Sequence, residues 1–255
     1  MHDHAPQSSE ARSLTVPAAD MPVLPETAPA LNELFEFMAQ AELRFTSLRM
    51  RIDDRQITTH GEETVTHDVW LRHTGFAKVV STRGESSDGD YDVWTSDGET
   101  VRTFNALGRT ATQRRAPRAP VGLDDPTLPR RSQVYFPQTA LPAETVVDTF
   151  VHPNGLCRNV LATGVIYRRG TASISGREAM LLRCEHPRSS QLLLDRPDHW
   201  LEVGIDSQTG MILLLAEHVG DRMTRHSEAT NVRLDEVIPD SAFTIHTSAD
   251  TRTIY

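Results

Sequence analysis

Eleven histidines, two cysteines and 35 acidic side chains give this chain the raw material for metal or acid–base chemistry. The histidines, His60, His67, His73, His152, His186, His199, His218 and His226 among them, are dispersed, and neither H-E-x-x-H nor Cys-x-x-Cys occurs. Zinc needs three or four converging ligands. The nearest approach is Cys184 and His186, which share one strand face, with Asp195 and His199 close behind. The pair lacks a third ligand and reads as structural; an active site built around it is the enzymatic alternative. His2 and His4 at the N-terminal end make a poor site on ligand count. Serine catalysis would want Gly-x-Ser-x-Gly, and phosphate cradles want Gly-x-x-x-x-Gly-Lys or Gly-x-Gly-x-x-Gly; all are absent. The expectation is no catalytic residue, no metal and no cofactor. Cys157 and Cys184 are too few for a disulfide framework. They read as two buried, unpaired thiols, with a single bridge as the alternative.

The elements that would position these groups are mostly strands. Leu31, Leu34, Phe35, Met38, Ala41, Leu43 and Phe45 recur at helical spacing just after Pro29. From Thr46 the period becomes two: Leu48, Met50 and Ile52 alternate with Arg49, Arg51 and Asp53, and Val65, His67, Val69 and Leu71 follow suit. Further short strands return through Phe76–Thr82, Tyr91–Thr95, Thr100–Ala106 and Thr110–Arg114, the pattern of an antiparallel meander. A proline-rich loop over 116–141 breaks the rhythm, bordered by Arg114, Arg115, Arg118, Arg130 and Arg131. Those arginines read as solvated, with an anionic head group at a cavity mouth as the alternative. Pro142–Ala162 reads as helical. A second run of strands occupies 166–234, and Met211–Ala216 within it is apolar on both faces. That strand is covered on both sides, by core or by ligand. Trp70, Trp94 and Trp200 stand opposite their strands' aliphatic faces, as packing or as a binding platform.

The net charge of −9 argues against a nucleic-acid partner. Lys78 is the sole lysine, a bias that reads as compositional. Residues 1–30, rich in Pro, Ala and Ser, read as a disordered tail. They lack the pattern of a signal peptide, and the longest apolar run is too short to span a bilayer, so the sequence as written predicts a cytoplasmic, soluble protein with no membrane span.

Three motifs carry a resemblance. Asp92–Val101 places a Trp before an Asp-Gly turn, Ile205–Leu213 holds Asp206-Ser207-Gln208-Thr209-Gly210, and Ile238–Phe243 reads Ile-Pro-Asp-Ser-Ala-Phe. Together with the element order, they resemble the LolA-like fold of periplasmic lipoprotein carriers and RseB/MucB sensors. The resemblance implies a mainly β (α+β) fold: an open antiparallel half-barrel of about 10–11 strands, covered by the N-terminal helix and the mid-chain helical insertion. It implies one domain over 31–246, followed by a C-terminal tail at 247–255. It also implies an apolar cavity, no catalytic residue, and an exported protein, in contrast to the missing signal. On this reading, a lipid or acyl-chain-like ligand is held by Trp70, Trp94, Phe104, Met180, Leu182, Leu201, Val203, Leu213 and Leu215. An RseB-like module that binds an anti-sigma factor or another regulatory protein is the alternative, and an enzyme housed in the cavity the second.

Overall fold

The structure, a computed structural model, describes residues 30–84, 89–116, 137–185, 198–245 and 251–254. The N-terminal segment 1–29 lies outside them, as do Arg118, Arg130, Arg131, His186 and Asp195. Period-two alternation produces strands where it was expected. They are β1 (Ser47–Thr58), β2 (Gly61–Arg72), β3 (Phe76–Arg83), β4 (Tyr91–Asp97), β5 (Thr100–Asn105) and β6 (Thr110–Arg115). The second run gives β7 (Val165–Ile174), β8 (Arg177–Glu185), β9 (His199–Asp206), β10 (Ile212–Val219) and β11 (Arg222–Leu234). Arg252–Ile254, inside the segment read as a tail, forms a short β12.

All twelve join one sheet in the order β12-β6-β5-β4-β3-β2-β1-β11-β10-β9-β8-β7. The first meander runs hairpin by hairpin outwards from β1 to β6, and the second runs inwards from the edge strand β7 to β11, which pairs with β1 at the centre. Every pairing is antiparallel except β12 with β6. The N-terminal helix α1 (Leu31–Ala39) leads into a 3-10 turn at Ala41–Arg44. The insertion supplies two short helices, α2 (Val146–Val151) and α3 (Asn154–Asn159).

The helices share one face of the sheet, called the inner face below. Leu34 and Met38 of α1, Val147, Phe150 and Val151 of α2, and Cys157 of α3 are buried in a single cluster with Leu48, Ile52, Val69, Leu182, Val203 and Leu213 of the sheet. The Asp-x-x-Thr-Gly turn anchors this layer. Asp206 is fully buried; its carboxylate accepts hydrogen bonds from the Thr209 amide and hydroxyl, and two more from Arg177 at 3.0 and 2.8 Å. Gly210 follows at φ +83°, where a Cβ would come within 2.8 Å of the Phe37 carbonyl oxygen. Glycine therefore lets the β9–β10 turn seat the end of α1. The Asp97-Gly98 turn is held similarly close, since a Cβ at Gly75 would meet Gly98 Cα at 2.6 Å.

Candidate functional site

Strand register builds the site. On the inner face, one cross-strand row reads Val69, Val79, Trp94, Thr103 and Thr112 from β2 to β6. The next row, two residues along each strand, reads His67, Ser81, Asp92, Asn105 and Thr110. Val79 to Thr112 of the first row and all of the second line a cavity of about 280 Å³. Its roof is Pro142, Thr145 and Val147, the stretch that enters α2. Thr145 starts that helix by accepting the Asp148 amide at 3.3 Å, the role its hydroxyl favours, and its own hydroxyl donates to the Pro142 carbonyl at 2.7 Å.

The cavity is thus apolar along one side and polar along the other. Val79, Val93, Trp94, Phe104, Val147 and Pro142 supply the apolar surface. The polar row is internally bonded: His67 Nδ1 lies 2.8 Å from Ser81 Oγ, and Asn105 Nδ2 donates to Asp92 Oδ1 at 2.7 Å. Arg83 donates to Asp92 Oδ2 at 2.7 Å, and the Thr103 and Thr112 hydroxyls pair at 2.6 Å. Burial holds the His67 imidazole below its ordinary pKa, against the pull of Asp54. Asp54 sits in the next row towards the strand ends and is engaged by Arg225 at 2.9 and 2.8 Å and by the Ser227 hydroxyl at 2.7 Å. Burial raises its pKa, but these hydrogen bonds outweigh burial and keep it low.

A second polar cluster clamps the roof. His152, at the end of α2, places Nδ1 2.8 Å from Asp148 and Nε2 3.3 Å from Glu42 of the 3-10 turn. Both His152 and Glu42 are buried. Burial disfavours the imidazolium, but hydrogen bonds and charge from Asp148 and Glu42 prevail and raise the pKa to about 9. Glu42 also accepts the Gln138 amide at 2.9 Å.

The expected ligand contacts fall into three places. Trp94 lines the cavity, and so does Phe104, although Phe104 belongs to the opposite strand parity. Leu182, Leu201, Val203, Leu213 and Leu215 are buried in the cluster closed by α1, α2 and α3, with Met180 partly buried against it. The doubly apolar β10 is therefore covered by the chain's own helices on this face. Trp70 lies on the outer face, between Arg49 and Lys78. Trp200 stacks on His218 with ring centroids 3.7 Å apart, under the Arg183 guanidinium.

His67, Ser81, Asp92, Asn105 and the strand threonines Thr103, Thr110 and Thr112 were missed as lining residues. Carrying the parity of Trp94 across the hairpins would have found them. Cys157 and Cys184 are free and buried, and burial pushes their thiols up to about 12 and about 11. Among the described residues, no three His, Cys, Asp or Glu side chains form a metal-binding group, and no helix is long and apolar enough to cross a membrane.

No family model matches the chain, and no curated protein matches it. Solved structures do. MucB superposes with a TM-score of 0.50 at 14% identity, covering 87% of this chain and 64% of MucB. MucB in the Pseudomonas aeruginosa MucA/MucB complex matches at 0.49 and 14%, over 85% of this chain and 61% of the other. The Mycobacterium tuberculosis lipoprotein LppX matches at 0.43 and 15%, over 83% and 98%. The chain thus spans less than two thirds of the MucB chains it matches. At such identities the likeness concerns fold alone: the chain shares the fold of the matched part of MucB, with its twelve strands in one open, almost wholly antiparallel sheet.

Proposed function

We propose that this chain is a non-catalytic binding protein that takes a lipid-like, amphiphilic ligand into the cavity beneath β3–β6. The observation that carries the reading is the two-sided lining: Val79, Trp94, Val147 and Pro142 on one side, and a hydrogen-bonded polar row on the other. An apolar segment of ligand laid along Trp94 gains about 0.8 kcal/mol per buried CH₂, before the costs of association. The cavity lies near the small end of the range for ligand pockets, about 300–1,000 Å³. It suits one short chain, or one end of a longer amphiphile. The polar row supplies orientation. Asp92 and His67 are occupied by their neighbours, which fits binding better than acid–base turnover. Residues 31–246 act in this reading as one domain.

Native mass spectrometry after incubation with lysophospholipid or medium-chain fatty acid tests the proposal. One bound amphiphile on the wild type, displaced in Val147→Trp, is the expected result. Equal loading of both, or no loading of the wild type, refutes it. A protein partner is the second reading, favoured by the edge strand β7, whose Val165 and Tyr167 are 51% and 48% exposed.

A further inference from the structure

The outer face of the sheet holds a cluster of cations that the cavity does not use. Strand pairing sets Arg233 of β11, Arg49 of β1, Trp70 of β2 and Lys78 of β3 side by side in one row. Arg49 and Arg233 are direct cross-strand partners, and like charges so placed are destabilising. Both are exposed. Arg233 has one long contact, to Glu236 at 3.5 Å. Arg49 meets no carboxylate among the described residues; its guanidinium lies 5.8 Å from the Trp70 ring centroid, with Lys78 Nζ 5.9 Å from the same ring. The chain as a whole carries −9, so this row is not a sample of a basic surface.

The backbone opens a recess at the same point. Arg49 pairs with Arg233, but Arg51 pairs with Thr230, so β11 carries one residue more than β1 across this interval. Asn231 sits in the bulge at φ +53°, a conformation uncommon outside glycine. Bulges of this kind re-aim side chains and recur beside functional sites. Here the bulge borders a notch of about 210 Å³ lined by Arg49, Arg51, Asp68, Trp70, Asn231 and Arg233. Arg51 is held back by Asp68, whose two oxygens it grips at 2.9 and 3.0 Å.

We propose that this notch binds a phosphate-type oxyanion between the guanidiniums of Arg49 and Arg233, with the Trp70 indole as one wall. Guanidinium forks match phosphate oxygens two at a time, which an ammonium does not. A bound anion converts the repulsion between two adjacent cations into two charge-assisted contacts. The recognising chemistry is the same for phosphate free in solution and for phosphate carried as a lipid head group.

Calorimetric titration of the full chain with inorganic phosphate, against sodium chloride of matched ionic strength, is one arm of the test. Flotation with phosphatidylcholine vesicles, with and without phosphatidylglycerol, is the other. Binding of phosphate at one per chain, weakened at least about ten-fold in R49Q/R233Q and less in R49K, supports a site for the free anion. Flotation only with phosphatidylglycerol, abolished in R49Q/R233Q, supports the head group. Wild-type protein that binds neither, or R49Q/R233Q that binds as well as wild type, overturns the proposal. In phosphate-free buffer R49Q/R233Q is expected to melt no lower than wild type, because it loses a repulsion; a clear drop in melting temperature would overturn the argument from like charges.

Discussion

Raising the pH from 6.5 to 9 should loosen the attachment of the mid-chain helices to the N-terminal turn, and His152→Gln should abolish that response. His152 is buried between Glu42 and Asp148, and its positive charge in turn disfavours protonation of His73. Its pKa rises from an ordinary 6.5 to about 9 in the folded protein. A group whose folded pKa is raised stabilises the fold fully below its unfolded pKa, and the contribution disappears as pH climbs through the folded value. The separation corresponds to about 3 kcal/mol, most of it lost between pH 6.5 and 9. Stopping at pH 9 matters, because the buried thiols Cys157 and Cys184 add their own slope above it. Burial depresses the pKa of His67 and of His73, so their slopes lie on the acid side. Urea unfolding at a series of pH values is the assay. The wild type should lose about 2–3 kcal/mol across the window, while His152→Gln should start lower and stay nearly flat. A flat wild-type profile, or a variant that keeps the slope, would refute the charged His152 bridge.

Asp206→Asn should destabilise the fold by about 3 kcal/mol in chemical denaturation, since it leaves the Arg177 guanidinium facing a neutral amide at a fully buried position. An effect under about 1 kcal/mol would mean that the hairpin tolerates the loss. Gly210→Ala should cost more than about 1 kcal/mol, because a methyl group would press on the Phe37 carbonyl at φ +83°; unchanged unfolding would show that α1 can shift away freely. Both cysteines should resist Ellman's reagent in the native protein at pH 8 and react once it is denatured, because burial raises both thiols; rapid native labelling of either would contradict their placement.

The parts of this structure that the sequence displays are those whose cause is local. Alternation in β1 and β2 fixes which side chains face the helices, and the Asp206–Gly210 motif specifies a turn because its bonded partners are consecutive. Other features depend on register between strands. Trp70 and Trp94 stand alike in their own strands, yet cross-strand register sets Trp94 over the cavity and Trp70 on the outer face. The row from His67 to Thr110 draws one residue from each of five strands, so no window of sequence contains it. Nor does apolarity identify what covers a strand. Leu213 and Leu215 look the same whether a ligand or a helix lies over them, and the structure puts helices there. Glu42 and His152 escape for a related reason: each is an ordinary polar residue until α2 docks against the turn after α1. Asn231 looks like any strand residue, because the bulge that gives it a role arises from a mismatch between β1 and β11.

The uneven filling of the inner face has a mechanical consequence. Phe150, Val151 and Leu161 are wedged against β8–β10, while the same insertion overhangs β3–β6 through Pro142, Thr145 and Val147. The wedged end acts as a shim, setting the height of the overhang by packing that a visiting molecule never touches. A guest entering under Val147 would meet a gap whose width is already fixed, and would not have to spend its own burial energy prising the roof from the sheet. Widening that gap for a different guest would be done most directly from the far end, by changing the size of the side chains at 150 and 151.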